Sequence, residues 1–270
     1  MKKYLVIKSG GSILDQLPDS FYQTIKELSE GDEWQPVLVH GGGPHISHLL
    51  TQLDVPIEFN SGLRVTSEAV LDIVEMVLCG SVNKQIVRNL ANAGAKALGI
   101  SGMDGSLLYA EPMDKTGSLG YVGEVTKVEP SVIQEVVSLG YVPVVAPLAL
   151  GENGQRYNIN GDLAAAAVAK ALNGSLCFVS NIDGVLAEEK GERSVIPELT
   201  QEEASDLIVQ GIIYGGMIPK VQSALDSLFA GAQEVVILNG LKEQSLREFT
   251  EGKPVGTRFV KASTKKTVRK

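Results

Sequence analysis

The sequence predicts an α/β fold, an open and mainly parallel sheet covered by helices on both faces. Three observations carry that expectation. Short apolar runs that read as buried parallel strands alternate along the chain with segments of helical periodicity. Two early runs, residues 4–7 and 36–39, lead directly into glycine loops, Lys8-Ser9-Gly10-Gly11 and His40-Gly41-Gly42-Gly43-Pro44. The 270 residues, 44% hydrophobic and 21% charged, suffice for one large domain or two lobes sharing a sheet.

The elements follow in order. Ser20 is placed to cap a helix that turns Phe21, Ile25 and Leu28 inward and stops at Gly31. A helix begins at Pro44, proline in its preferred first position, with Ile46, Leu49, Leu50 and Leu53 on one face. Ser67 caps a long helix holding Val70, Ile73, Val74, Val77, Ile86, Val87 and Leu90. Its apolar content is high for a surface helix, so part of it, Val77 included, is expected to face a second copy in a homodimer. Residues 96–100 and 142–146 read as core strands. Between them 107–127 is rich in glycine and turn residues, which suggests hairpins projecting as a lid. An alanine-rich helix over 163–172 precedes a strand over 175–179 that ends in Ser180-Asn181-Ile182-Asp183-Gly184, and a further strand covers 234–238. A lobe boundary is expected at Asn173-Gly174.

Charge and cysteine usage exclude several classes. A net charge of −8, from 24 basic and 32 acidic residues, offers no basic stripe for nucleic acid. The cationic run at 261–270 reads as a solvated or frayed end. Cys79 and Cys177 lack metal-ligand spacing and read as small buried hydrophobes in a reducing cytosol. The longest apolar stretch, 141–150, is broken by Pro143 and Pro147, and Lys8 cuts short the apolar run after Lys2-Lys3. A cytoplasmic protein without membrane contact is expected.

The chemistry is expected at the carboxyl ends of the strands, where open α/β sheets bind ligands. Glycines there let the backbone approach a ligand and offer it N–H groups, which suits phosphate, and a helix start at Pro44 adds a positive dipole end. The sequence contains no P-loop pattern, no Gly-x-Gly-x-x-Gly and no Gly-x-Ser-x-Gly. His45 and His48 fall on an exposed helix face, and His40 fits a hydrogen-bonded strand end. Three more stretches matter. Tyr157-Asn158-Ile159-Asn160-Gly161-Asp162 opens the alanine helix, where Asp162 or an asparagine could serve as its cap. Gly215-Gly216-Met217-Ile218-Pro219-Lys220 opens another helix with a lysine that opposes the dipole unless an anion is present. Asn60-Ser61-Gly62-Leu63-Arg64-Val65-Thr66 presents one arginine, suited to a carboxylate or simply exposed.

Together, Lys8-x-Gly10-Gly11, His40-Gly-Gly-Gly-Pro44, Gly62-Leu-Arg64-Val-Thr66, Asn158-Ile-Asn160-Gly-Asp162, Gly216-Met-Ile-Pro-Lys220 and Gly256-Thr257-Arg258 stand in the order and spacing of the amino acid kinase family. Over essentially its whole length the chain resembles that family, most of all its members that phosphorylate N-acetyl-L-glutamate. The resemblance implies an eight-stranded, mainly parallel sheet between helices. It implies an acceptor-binding and dimerising N-lobe over 1–173, and an ATP-binding C-lobe over 174–270. The implied reaction moves the ATP γ-phosphoryl onto the acceptor's side-chain carboxylate, giving N-acetyl-L-glutamyl 5-phosphate for arginine biosynthesis. Lys8 and Lys220 would flank the phosphoryl and Asp162 would orient both. Gly10, Gly11 and Gly43 would offer N–H groups to phosphate, while Gly42, Gly43, Arg64, Asn158 and Asn160 would hold the acceptor. Ser180, Asn181, Asp183, Gly184, Gly216 and Met217 would contact the nucleotide, with Mg²⁺ riding on its phosphates. Two positions depart from the family pattern. Gly161 stands where alanine is usual, and Ser180-Asn181 stands where Thr/Ser-Asp is usual. A related kinase for another carboxylate acceptor and a non-catalytic amino-acid sensor are the competing readings. Arginine-inhibited members carry an extra N-terminal helix that joins dimers into a hexamer. With a first strand at about Tyr4, three residues precede it, so no hexamer and no response to arginine are expected.

Overall fold

The computed structural model describes residues 2–189 and 192–262. β1 (Lys3–Ser9) and β2 (Trp34–His40) bracket α1 (Asp19–Glu30), and α2 (Gly43–Gln52) follows the second glycine loop. β3 (Phe59–Asn60) and β4 (Leu63–Arg64) form a short hairpin. α3 (Glu68–Glu75) then passes through a π-helical turn, Met76–Val82, into α4 (Asn83–Asn92). Next come β5 (Ala97–Ser101), β6 (Leu108–Pro112), β7 (Val122–Val128), α5 (Pro130–Ser138), β8 (Val142–Ala146), β9 (Leu148–Leu150) and β10 (Arg156–Ile159). The second half contains α6 (Gly161–Ala171), β11 (Ser175–Ser180), β12 (Leu186–Glu189), β13 (Glu192–Val195) and β14 (Glu198–Leu199). It ends with α7 (Gln201–Val209), α8 (Met217–Ala230), β15 (Val235–Asn239), α9 (Ser245–Thr250) and β16 (Thr257–Phe259).

Eight strands form one sheet in the order β14-β16-β15-β11-β1-β2-β8-β5, parallel except where β15 meets β16. β1 lies centrally, with the first half of the chain built out on its β2 side and the second half on its β11 side. The strand order therefore reverses at β1, and Lys8 stands beside that reversal. Both sheet faces are apolar because each strand alternates between two cores. Leu5, Ile7, Leu38, Cys177 and Val236 join α1, α3, α4 and α9 on one face. Val6, Val37, Leu176, Phe178 and Val235 join α6 and α8 on the other. The expected boundary at Asn173-Gly174 falls in the turn between α6 and β11, and the sheet continues across it through the β11–β1 pairing.

Several local expectations are corrected. α1 starts at Asp19 after Pro18, not behind a Ser20 cap; proline sets the extended entry and Asp19 suits the positive end of the helix. α2 begins one residue before Pro44, and Leu53 lies past its end, 54% exposed. Ser67 does cap α3, its side chain accepting from the Val70 N–H. Most of the apolar residues behind it are buried within the protomer, Val77 to 2%, so that side chain belongs to the core; Val87 is partly buried and Met76 is 60% exposed. Residues 107–127 do contain a hairpin, but it is not a free one. β6 and β7 pair antiparallel and close with β9 and β10 into a four-stranded barrel, because β10 finds β7 on one edge and β9 on the other. Cys177 is buried and Cys79 half-buried, and burial pushes the Cys79 thiol up to about 11. Residues 263–270 of the cationic run lie outside the described residues. Among the described residues no helix is long and apolar enough to cross a membrane.

Candidate active site

The carboxyl ends of β1 and β2 bring the two glycine loops into backbone contact. A Cβ on Gly11 would lie 2.8 Å from both Gly42 N and Gly42 Cα, so no other residue fits there without moving the second loop. Beside this seam Lys8 Nζ lies 2.7 Å from Asp162 Oδ1. Asp162 is free for that pairing because Asn160 caps α6, its Oδ1 accepting from the Asp162 N–H (2.8 Å) and the Leu163 N–H (3.3 Å). Of the two capping candidates, the asparagine takes the cap and the aspartate faces the site.

Lys8, Asp162 and Lys220 line one cavity of about 150 Å³ together with Gly10, Ser12, Ser180, Asn181 and Ser223. Lys220 reaches it from the first turns of α8, whose N-cap is Gly216. Burial holds the Lys220 ammonium below the ordinary lysine range; the Lys8 charge adds to this and Asp162 opposes it. Two cations sharing one carboxylate beside a helix N-terminus make a site with surplus positive charge, stabilised when an anion enters.

A second cavity, of about 190 Å³, lies on the α2 side and is lined by Gly41, Gly42, Gly43, Phe59, Arg64, Asn158, Asn160 and Gly161. Arg64 is 8% exposed. Its Nη2 donates to the Gly43 carbonyl (3.1 Å) and to Ser47 Oγ (2.8 Å), and the Phe59 ring covers the guanidinium at 4.8 Å. Nη1 is buried with no hydrogen-bond partner, an unsatisfied donor on a residue that lines this cavity. Asn158 on β10 donates from Nδ2 to Thr66 Oγ1 (3.1 Å), tying the barrel to the loop that carries Arg64. Gly161 sits between the two cavities, where a Cβ would meet His40 O and Lys8 Cε at an ordinary 3.6 Å.

The remaining expected residues are placed differently. Asp183 lines a separate concavity with Asn239 and Lys242 and bonds to both at 2.8 Å; Lys242, then Asn239, hold its carboxyl below the usual range. Gly184 serves packing, since at φ +138° a Cβ would lie 2.7 Å from Thr257 Oγ1. Met217 packs half-buried against the core. His40 is buried, His48 is exposed, and His45 Nε2 lies 3.3 Å from Asp15. Sequence reasoning missed Ser47, Phe59 and Ser223. Ser47 stands one helical turn after Gly43, the signal that could have found it. Larger concavities occur elsewhere, of about 560 Å³ between β7, α6 and α8 and about 570 Å³ beside Met76, but neither joins lysine, carboxylate and glycine loops. Among the described residues no three His, Cys, Asp or Glu side chains converge on a metal position.

A parallel sheet whose strand ends join two glycine loops to a Lys–Asp–Lys cluster defines a protein built to bring two anionic groups together. The profile of the amino acid kinase family matches residues 3–239, and the chain belongs to that family. It is 48% identical to acetylglutamate kinase from Oceanobacillus iheyensis over 253 residues, 94% of this chain and 95% of that one. It is 46% identical to acetylglutamate kinase from Brevibacillus brevis, over 95% of this chain and 97% of the relative. A crystal structure of a Streptococcus mutans protein, 34% identical, superposes with a TM-score of 0.80 over 96% of this chain and 99% of that one. Carbamate kinase from Giardia, 16% identical, covers 96% of this chain and 99% of its own at a TM-score of 0.70 and shares the fold.

Proposed function

We propose that the protein transfers the γ-phosphoryl group of ATP to the side-chain carboxylate of N-acetyl-L-glutamate, forming an acyl phosphate in arginine biosynthesis. The observation that carries this reading is the Lys8–Asp162 ion pair, in one cavity with Lys220 and beside the seam of the two glycine loops. The relatives named acetylglutamate kinase, matched over nearly the whole chain, support the choice of acceptor.

The barrier is electrostatic, because a carboxylate must approach a triphosphate. Phosphoryl transfer needs little covalent help and is governed by position and charge. One opposing charge about 4 Å away is worth roughly 4 kcal/mol at an effective dielectric of 20. Lys8 and Lys220 take up that role on either side of the transferred group, and Asp162 holds Lys8 in line. The nucleophile is already ionised, so no side chain has to remove a proton. Arg64 offers Nη1 to the α-carboxylate of the acceptor, with Asn158 and Asn160 beside it. Gly10, Gly11 and Gly43 present backbone N–H groups to phosphate. The nucleotide extends from Lys220 towards Ser180 and Asn181, where an amide replaces the family's usual carboxylate. Mg²⁺ arrives with the substrate as MgATP and neutralises phosphate charge.

On this reading residues 1–173 hold the acceptor and 174–270 the nucleotide, and the enzyme works in the cytoplasm as a homodimer. Incubation with ATP, Mg²⁺, N-acetyl-L-glutamate and hydroxylamine should accumulate a hydroxamate in step with ADP. ADP release without hydroxamate would rule out a carboxylate acceptor.

A further inference from the structure

The π-helical turn Met76–Val82 and the buried amide that follows it take no part in the chemistry described so far. Asn83 opens α4 at 1% exposure. Its Nδ2 donates to the Val144 carbonyl in β8 (2.9 Å) and approaches that of Ile100 in β5 (3.3 Å). The same nitrogen lies 3.2 Å from His40 Nε2. The other ring nitrogen of His40, Nδ1, lies 3.0 Å from the Gly41 carbonyl oxygen. A carbonyl can only accept, so Nδ1 carries the proton and Nε2 is left as an acceptor facing the Asn83 NH₂. Of the two amide protons, one serves Val144 and the other is shared between Ile100 and the ring. The Gly41 carbonyl thereby selects one neutral tautomer, and the amide facing Nε2 is compatible with it. Burial, with the Lys84 charge adding to it, keeps it neutral by pushing its pKa down to about 4.

The peptide that follows is planar and trans, so the Gly41 carbonyl and the Gly42 N–H point in opposite directions. With the carbonyl pinned to His40, the Gly42 N–H is aimed away from the ring. Gly42 N lies on the side of the first glycine loop, 2.8 Å from where a Cβ of Gly11 would stand. The π turn closes the other side. A Cβ on Gly42 would come within 2.6 Å of Leu78 Cδ2 and 3.4 Å of Val82 Cγ2. An i+5 turn widens the helix locally, and such turns recur at functional sites.

We infer that Asn83, His40 and the π turn are positioning elements for phosphoryl transfer, directing the Gly42 N–H through the Gly41 carbonyl at the negative charge that develops between the two glycine loops. The inference rests on the function proposed above. Asn83→Asp keeps the shape but sets an acceptor against Nε2, which disturbs the tautomer. It should lower kcat by about 10- to 100-fold while KM for ATP and for the acceptor each stay within about threefold, since the aimed donor matters most as charge builds. Leu90→Ala, a core truncation on the same helix, should lower stability and leave kcat within about twofold. In the parent protein, ¹⁵N NMR of His40 should show a neutral ring protonated at Nδ1 from pH 5 to 8. A folded Asn83→Asp enzyme with parental kcat, an equal kcat loss in Leu90→Ala, or a ring protonated at Nε2 would each overturn the inference. If Asn83→Asp does not fold, the tautomer in the parent decides. A parent that forms no hydroxamate strikes the proposed function; a parent that forms it while Asn83→Asp keeps its kcat strikes this inference alone.

Discussion

The two sides of the cleft, proposed above to take the acceptor and the nucleotide, are held in different ways. Around the second glycine loop, Ser9, His40, Arg64 and Thr66 are all buried. Bonds from Arg64 to Gly43, from Asn158 to Thr66 and from Tyr121 N–H to the Thr66 carbonyl (2.7 Å) tie that region to two neighbouring elements. Across the cleft Asn181, Gly215 and Gly216 are exposed, and Tyr214 is 69% exposed. That side combines local contacts, such as the Ile182 N–H to Ser180 Oγ (3.3 Å) and the Met217 N–H to the Tyr214 carbonyl (3.2 Å), with bonds from Asn239 and Lys242 to Asp183 and from the Gly240 N–H to the Ser180 carbonyl (2.9 Å). On the proposed assignment the acceptor pocket is the more buried and cross-linked of the two, and the nucleotide side the more exposed. Pre-ordering one partner lowers the entropy lost on binding it.

The two lysines give the sharpest test of this asymmetry. Lys8→Ala and Lys220→Ala should each lower kcat by about 10²- to 10³-fold, as expected for losing a donor to transition-state charge. They should part in stability. Lys8→Ala strands Asp162 without its 2.7 Å partner and should lower Tm. Lys220, whose charge the fold disfavours, should leave Tm unchanged or slightly raised when removed. Equal melting shifts in the two variants would erase the contrast.

A buried neutral histidine on the acceptor side predicts acid sensitivity there. Above pH 6.5 His40 is neutral in both folded and unfolded chains. As the pH falls from 6.5 towards about 4, the unfolded chain takes up a proton that the folded chain refuses, so stability declines over that window. Between pH 6.5 and 5, where most carboxylates remain ionised, the loss should reach about 1.6 kcal/mol in urea titrations. A flat profile over that interval would contradict a ring kept neutral by burial.

Arg64→Ala should raise KM for the acceptor by roughly 10- to 100-fold with little change in kcat, because the α-carboxylate is held alike in ground and transition states. A matching rise in KM for ATP would show that the two sides are not separable. The smallest effect concerns Gly161, where a methyl group fits in ordinary contact at the start of α6. Gly161→Ala should stabilise by about 0.5–1 kcal/mol, read as a small rise in Tm, with kcat unchanged.

Much of this was legible in the sequence because it depends on local chemistry. Glycines after apolar runs, Ser67 ahead of a helix and Asn160 ahead of Asp162 each announce a backbone geometry within a few residues. The lysine pair emerged from the motif set, although 212 residues separate Lys8 from Lys220. The barrel stayed hidden because its pairings are non-local, joining β7 to a strand some thirty residues further on. The π turn left no signal, since an extra residue in a helical turn reflects tertiary packing, here of Leu78 and Val82 against Gly42, and not propensity. Val77 was misread for a related reason: an apolar helical face looks the same in sequence whether it meets its own sheet or a second copy.

The small barrel governs how the acceptor wall comes apart. β10 is paired on both edges, and the ring closes where β6 meets β9 at the Tyr109–Leu150 bridge. A strand with a free edge frays one amide at a time, whereas a ring with no free edge must first break somewhere. Deuterium uptake along β7 and β10 should therefore come as one collective wave, led by the bridge at Leu150, and Asn158 should be let go by the opening of the whole ring.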